Sequence, residues 1–328
     1  MEKYSKWRDP ASGIAPLVVP LPPTAGESTP PIVKLIALPL AWSLGAVRTV
    51  LVAALLLIHA IIVQGALKLL LVAPALHQVV SGVLTAIHAR LILLLLGFVY
   101  ISADTVSLKR TGRSPPQSPF APSKGELIIA NSSSYIDVLY LAFRFNPTFL
   151  LPAAGTPGSV TGWKSVGMVQ AILNSGKLPT RSETADSLEA ALEKAPGPCV
   201  CTTSNNRGLL KFGSFSSATG SKTKPVRTFI LAFKYPLPTS ITPSATCPIP
   251  GAALSPISHM FALACSPAPT SLTVRRLHPS ESPKLSTANR KEDWDAIADI
   301  LAALGRFKRL NSIDFEAKRA FLAYKKSR

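Results

Sequence analysis

The sequence predicts an α/β protein preceded by a hydrophobic N-terminal helical hairpin. Three observations carry that expectation. Two long apolar runs fill the first third of the chain. A basic, proline-rich stretch then interrupts it, and beyond that stretch short β-branched and aromatic runs alternate with helical patterns, the order expected of strands interleaved with helices.

Taken in order, residues 1–31 are polar and rich in proline (PLVVPLPPTAGESTPP) and lack helical periodicity, so they predict a disordered, extended tail. No apolar core follows the charged first residues closely, so no secretory signal is expected. Residues 32–108 then predict a membrane-embedded hairpin. Nineteen uncharged residues, 49–67, lie between Arg48 and Lys68, close to the ~20 needed to cross a hydrocarbon core. A second run, 69–89, is broken by Pro74, His77, Gln78 and Gly82 and continues after Arg90 as LILLLLGFVYI. The predicted helices cover 33–67 and 76–103. Arg48, Lys68 and Arg90 are placed to snorkel to head groups or to line a buried face. Trp42, Trp163 and Tyr100 are candidate interface anchors. His59 predicts a hydrogen-bonded interior residue.

The segment KRTGRSPPQSPFAPSK, 109–124, opens a region expected to run as one α/β unit to residue 290. ELIIANSSS predicts a strand entering a turn, VLYLAFRF a helix or strand, and SETADSLEAALEKA an amphipathic helix capped by Ser182. PCVCTTS and VRTFILAF predict strands. Residues 291–328 predict two basic helices split near Gly305; from 306 onward there are eight basic and two acidic side chains.

Composition narrows the partners. Only 16% of the 328 residues are charged and 47% are hydrophobic, yet the formal charge is +18. Such an excess favours an anionic partner. With aromatics at 7% and the apolar runs present, a phospholipid membrane is expected rather than nucleic acid. Cys199, Cys201, Cys247 and Cys265 neither form a secreted disulfide framework nor show zinc spacing, so reduced thiols in a cytosol-facing domain and no metal site are expected.

Two runs carry chemistry. NSSSYID, 131–137, directly follows the strand LIIA, and CVCTTSNNRGLLKF, 199–212, follows the amphipathic helix. Between them lies GKLPTR, 176–181, and after them KPVRTFILAFKYP. In this order the chain resembles the glycerolipid acyltransferase (PlsC-like) family, and more narrowly its fungal lysophosphatidic acid acyltransferase branch. The opening YSKWRDPASGIAPLVVP and the phrase TTSNNRGLLKF carry the narrower likeness. The resemblance spans residue 4 to roughly 240. It implies a PlsC-like domain with a mixed sheet flanked by helices. It also implies acyl transfer from acyl-CoA, as co-substrate, to a lysophospholipid, lysophosphatidic acid giving phosphatidic acid. Apart from acyl-CoA no cofactor is implied. The setting would be the endoplasmic reticulum or lipid-droplet membrane. Asp137, Ser132 and Asn131 would fill the catalytic block, and Thr202, Thr203, Ser204, Arg207 and Arg181 the substrate-binding blocks.

Two positions depart from that pattern. The family's base is a histidine, oriented by the aspartate; here that slot is Ser132, and no other histidine precedes an aspartate at the same spacing. The glutamate of the later block is replaced by Val200. Serine has no basic nitrogen, which leaves Ser132 to orient a hydroxyl and Asp137 to act directly with a carboxyl raised by burial. Losing a general base costs about 10²–10⁴ in rate. The alternative expectation is therefore a catalytically degenerate relative acting as a lipid-binding or scaffolding module. Asn131 and the serines also suit a plain strand-to-helix turn, and Asp137 a first-turn helix acid.

Overall fold

The computed structural model describes residues 4–22, 31–67, 73–109, 119–154, 159–179, 185–194, 197–200, 204–212, 214–215, 225–249, 256–286 and 291–326. Thr202, Thr203, Arg181 and Ser182 fall outside them, as do Cys201 and Lys68.

The chain is α/β, with two apolar N-terminal helices and a mixed sheet flanked by helices. Helices α1 (Pro31–Ile62) and α2 (Pro74–Leu95) lead into β1 (Phe98–Val106) and β2 (Leu127–Ala130). Then come α3 (Tyr135–Phe145), β3 (Phe149–Ala154), β4 (Ser159–Val166), α4 (Met168–Asn174), α5 (Leu188–Lys194), β5 (Gly197–Val200), β6 (Gly208–Leu210), β7 (Ser214–Phe215) and β8 (Pro225–Lys234). The chain continues through α6 (Ile257–Ala264), β9 (Thr270–Leu277), β10 (Lys284–Ser286), α7 (Lys291–Gly305), β11 (Lys308–Leu310) and α8 (Phe315–Lys326).

The main sheet runs β1-β9-β8-β2-β5-β3-β4-β7, with β10 added antiparallel on β8. Its centre is parallel: β2 lies between β5 and β8, all pointing one way. Side-chain alternation splits the core in two, because successive residues of a strand face opposite sides. On β2, Ile128 and Ala130 face α2 and α3, whereas Leu127 and Ile129 face α7. On β8, Phe229, Leu231 and Phe233 join the first set and Val226, Ile230 and Ala232 the second. Both faces of the central strands are covered, as parallel strands require.

Several expectations change. Residues 4–22 do not form an extended tail. Trp7 is buried and packs edge-on against Phe321 of α8 at 5.0 Å, and Leu17 is fully buried in the same cluster. Aromatic burial outweighs the proline content there. The second helix ends at Leu95 rather than near 103. Gly97 takes φ +91°, a left-handed conformation suited to glycine, and the β-branched and aromatic residues after it form β1, paired in parallel with β9. The amphipathic helix is Leu188–Lys194, shorter than the 182–195 pattern predicted. Asp186 instead makes an antiparallel bridge to Trp163, through backbone bonds of 2.8 and 3.0 Å. Trp163 itself is 1% exposed and stacks on Trp294, so it is a core residue, not an interface anchor. In the basic C-terminal region, Lys318 is fully buried, and burial lowers its ammonium to about 7.

The hairpin lies against the body. Gly45 of α1 meets the end of α6 so closely that a Cβ there would fall 2.3 Å from the Cys265 sulfur. Arg48 donates to the carbonyls of Ala264 (3.2 Å) and Ser266 (2.9 Å), and Arg90 to those of Phe98 and Val99, both 2.9 Å. The two arginines therefore satisfy helix- and strand-end carbonyls rather than reach outward. Outward, α2 presents Leu76, Val79, Val83, Ile87, Leu91 and Leu94, an i, i+3/i+4 stripe that is exposed throughout. Trp42 and Tyr100 are likewise exposed. Residues Ile36–Ile62 and Ala75–Leu95 are long and apolar enough to cross a membrane.

Candidate functional site

The strands β5, β2 and β8 end side by side, so the segments leaving them collect at one edge. There β2 releases the 131–134 turn, β5 leads toward the loop at 204–207, and β8 delivers Phe233, Lys234 and Tyr235. Carboxyl ends of parallel strands are where open α/β sheets place ligands. The two sequence blocks do come together here: the Ser204 N–H donates to the Ser132 carbonyl at 3.0 Å, and Asn206 Nδ2 to Ser133 Oγ at 2.8 Å.

Asn131 joins two strands. Its Oδ1 accepts from the Phe233 N–H at 2.7 Å, and its Nδ2 donates to the Phe233 carbonyl at 3.1 Å. The amide thus extends the β2–β8 ladder by one step after β2 has ended. Ser133 accepts from both Asn131 and Asn206 and is fully buried. Its carbonyl takes the Cys247 N–H at 2.8 Å. Ser132 is 5% exposed and its hydroxyl makes no hydrogen bond with the described residues.

Asp137 stands at the third position of α3, with Ser134 in the N-cap slot. Its Oδ2 accepts from the N–H groups of Ser133 (2.6 Å) and Ser134 (3.0 Å), and its Oδ1 from the Tyr235 hydroxyl (2.5 Å). This is the carboxylate half of a capping box. The reciprocal half is not closed, since Ser134 Oγ is buried without a partner among the described residues. Asp137 is 1% exposed. Burial pushes its carboxyl up to about 7, against the pull of Tyr235 and the two backbone donors. Tyr235 is in turn pushed well up by its own burial and by the adjacent carboxylate.

The second block divides its labour. Asn205 braces the N-terminal segment, donating from Nδ2 to the carbonyls of Ala15 (2.8 Å) and Val18 (2.9 Å), while its own N–H reaches the Pro16 carbonyl. That explains why the opening residues pack at all. Asn206 sits at φ 63° and donates to the Phe233 carbonyl at 2.9 Å. Ser204 Oγ donates to the Gly208 carbonyl at 3.2 Å. Arg207 is exposed, and its guanidinium is unbonded among the described residues. Exposed Lys234 follows Phe233 on β8. Two cations thus flank a turn whose asparagine and aspartate side chains are internally matched, while the hydroxyls of Ser132 and Ser134 are not.

Sequence reasoning does not find Tyr235 or His259. Tyr235 lies in a plain strand-end phrase, KYP, with no motif to mark it. His259 Nδ1 lies 3.2 Å from the Tyr135 hydroxyl and its Nε2 2.9 Å from the Ser244 carbonyl. It touches the helix that carries Asp137 but makes no bond to Asp137, so it does not fill the vacant histidine role. Among the described residues no His, Cys, Asp and Glu cluster of metal-binding kind is found. Cys265 is a free thiol, and the Cys247 thiol donates to the Ile249 carbonyl at 3.6 Å.

The chain matches no protein-family model, no curated protein and no solved structure.

Proposed function

We propose that the chain transfers an acyl group from acyl-CoA to a lysophospholipid, lysophosphatidic acid giving phosphatidic acid, at a membrane surface. The observation that carries this reading is the meeting of the 131–137 turn with the 204–207 loop and Tyr235 at the carboxyl ends of β2, β5 and β8. In the reaction the lysolipid hydroxyl oxygen attacks the thioester carbonyl, its proton leaves, and the C–S bond breaks to release the thiol of CoA. Asp137, with its carboxyl near 7, is the group able to hold that proton at neutral pH, relayed by the Tyr235 hydroxyl; the free hydroxyl of Ser132 orients the acceptor. Arg207 and Lys234 supply charge for the lysolipid phosphate. The exposed stripe of α2 and the apolar face of α1 seat the body on the bilayer, in the endoplasmic reticulum or lipid-droplet membrane, with the α/β body in the cytosol. Both helices touch the body over much of their length, which supports their lying along the surface.

One observation favours a second reading. Asp137 already accepts from three donors and is sealed from solvent, as in a helix cap that only builds the turn. The chain would then bind lysolipid without turning it over. Purified full-length protein with radiolabelled oleoyl-CoA and lysophosphatidic acid separates the two. Labelled phosphatidic acid, reduced at least a hundredfold by Asp137→Asn, supports transfer. Saturable lysolipid binding with no product supports the silent module, and absence of both removes the two readings together.

A further inference from the structure

At the opposite edge of the sheet, where β2 begins and α3 ends, a cleft of about 1050 Å³ separates the loop end of the hairpin from the body. Its walls come from the C-terminal part of α1, the first turns of α2, the end of α3 and the β4–α4 junction. That volume is at the upper end of what small-molecule sites enclose, roughly 300–1,000 Å³.

Three polar atoms in the walls lack hydrogen-bond partners among the described residues although all are buried: His59 Nδ1, Gln64 Nε2 and Ser165 Oγ. His59 as a whole is 2% exposed, held edge-on to His88 at 5.7 Å. The sequence expectation of a hydrogen-bonded interior histidine is thus half right: it is interior, but that nitrogen is unmatched. Buried polar atoms are paired in the great majority of cases, so three orphans among the residues that line one cleft mark hydrogen-bonding capacity left unspent beside it. Among the described residues no carboxylate lines the cleft, and Lys124 contributes a cation. On the hairpin side the wall is mixed: Val79 and Val83, which belong to the exposed stripe of α2, alternate with His77, Gln78, Ser81 and Thr85. The cleft is thus polar along most of its wall, with Val79 and Val83 joining it to the apolar outer stripe of α2.

We infer that this cleft is a second lipid site. It takes a single-chain amphiphile whose oxyanion head, phosphate or carboxylate, lies against His59, Gln64, Ser165 and Lys124, with its chain passing over Val79 and Val83. The residues are disjoint from those of the strand-end site, so the inference stands whether or not acyl transfer occurs.

Gly82 offers a clean test. It lines the cleft, and a Cβ there would meet only Asn146 Nδ2, at 3.6 Å. Leucine is also the better helix former, so Gly82→Leu fills the space without unfolding the chain, which an unchanged or raised melting temperature verifies. Full-length protein is irradiated with lysophosphatidic acid bearing a photoreactive acyl chain and, separately, with the corresponding fatty acid. The crosslinked residues are then mapped by mass spectrometry. Label at 76–90 and 159–170, reduced at least tenfold by Gly82→Leu, is the expected result. Labelling by one probe alone assigns the head as phosphate or carboxylate. Label at those residues that persists undiminished in Gly82→Leu, or none there with either probe, overturns the inference. Label at 204–212 or 225–235 reports on the strand-end site and is scored apart.

Discussion

The two edges of one sheet are built on opposite terms. At the carboxyl ends of β2, β5 and β8, the asparagines, Ser133 and Asp137 are matched to named partners, and the hydroxyls of Ser132 and Ser134 are the exceptions. At the amino ends, polar side chains line open space and several have no partner among the described residues. The first edge carries the motif residues, yet most of their hydrogen-bonding capacity is spent on holding the turn. The second carries no motif and keeps its capacity unspent. A run of polar residues in a sequence thus marks where the chain needs internal bonds at least as readily as where a ligand binds.

That contrast predicts unequal costs of mutation. The largest effect is pH-dependent. The folded carboxyl of Asp137 lies above its unfolded value of 3.8, at about 7. Its contribution to stability is therefore fully present below 3.8 and is lost as pH rises through 7. Between pH 4 and 8 the wild type should lose a few kcal/mol relative to Asp137→Asn, a change of about 1.4 kcal/mol per pH unit across the window. Urea unfolding of both proteins at several pH values measures it; parallel curves would deny the burial argument. Next in size, Asn131→Ala orphans the buried Phe233 N–H and should cost about 2–3 kcal/mol, read from the urea midpoint. For Asn206, alanine should be worse than glycine by about 1 kcal/mol, because only glycine tolerates φ 63° freely. Smallest of all, His59→Leu should change stability by under about 1 kcal/mol, since no bond to its Nδ1 is lost. A large loss there would erase the difference between the two edges.

Much of the architecture is legible in residue patterns. The apolar, β-branched and aromatic runs LIIA and VRTFILAF announce β2 and β8, whose successive residues then divide between the two core faces. The apolar runs announce α1 and α2. The end of α2 is not legible, because LILLLLGFVYI is uniformly apolar and only the left-handed Gly97 divides helix from strand. The packing of residues 4–22 is hidden too: Trp7 and Leu17 are anchored by α8 and by Asn205, each distant in sequence. At the site, Asn131, Ser132, Ser204 and Arg207 lie in the expected neighbourhood, whereas Tyr235 carries no signal. Nothing local distinguishes a strand-end tyrosine that serves a carboxylate 98 positions away.

The proposed chemistry makes the Asp137–Tyr235 pair its titrating element, and the pH profile of acyl transfer tests that directly. Wild type should form phosphatidic acid faster as pH rises, with a midpoint near 7. Tyr235→Phe removes a bond that lowers the Asp137 carboxyl and should move the midpoint upward as well as slow the reaction. A profile that keeps its midpoint in Tyr235→Phe would contradict the assignment.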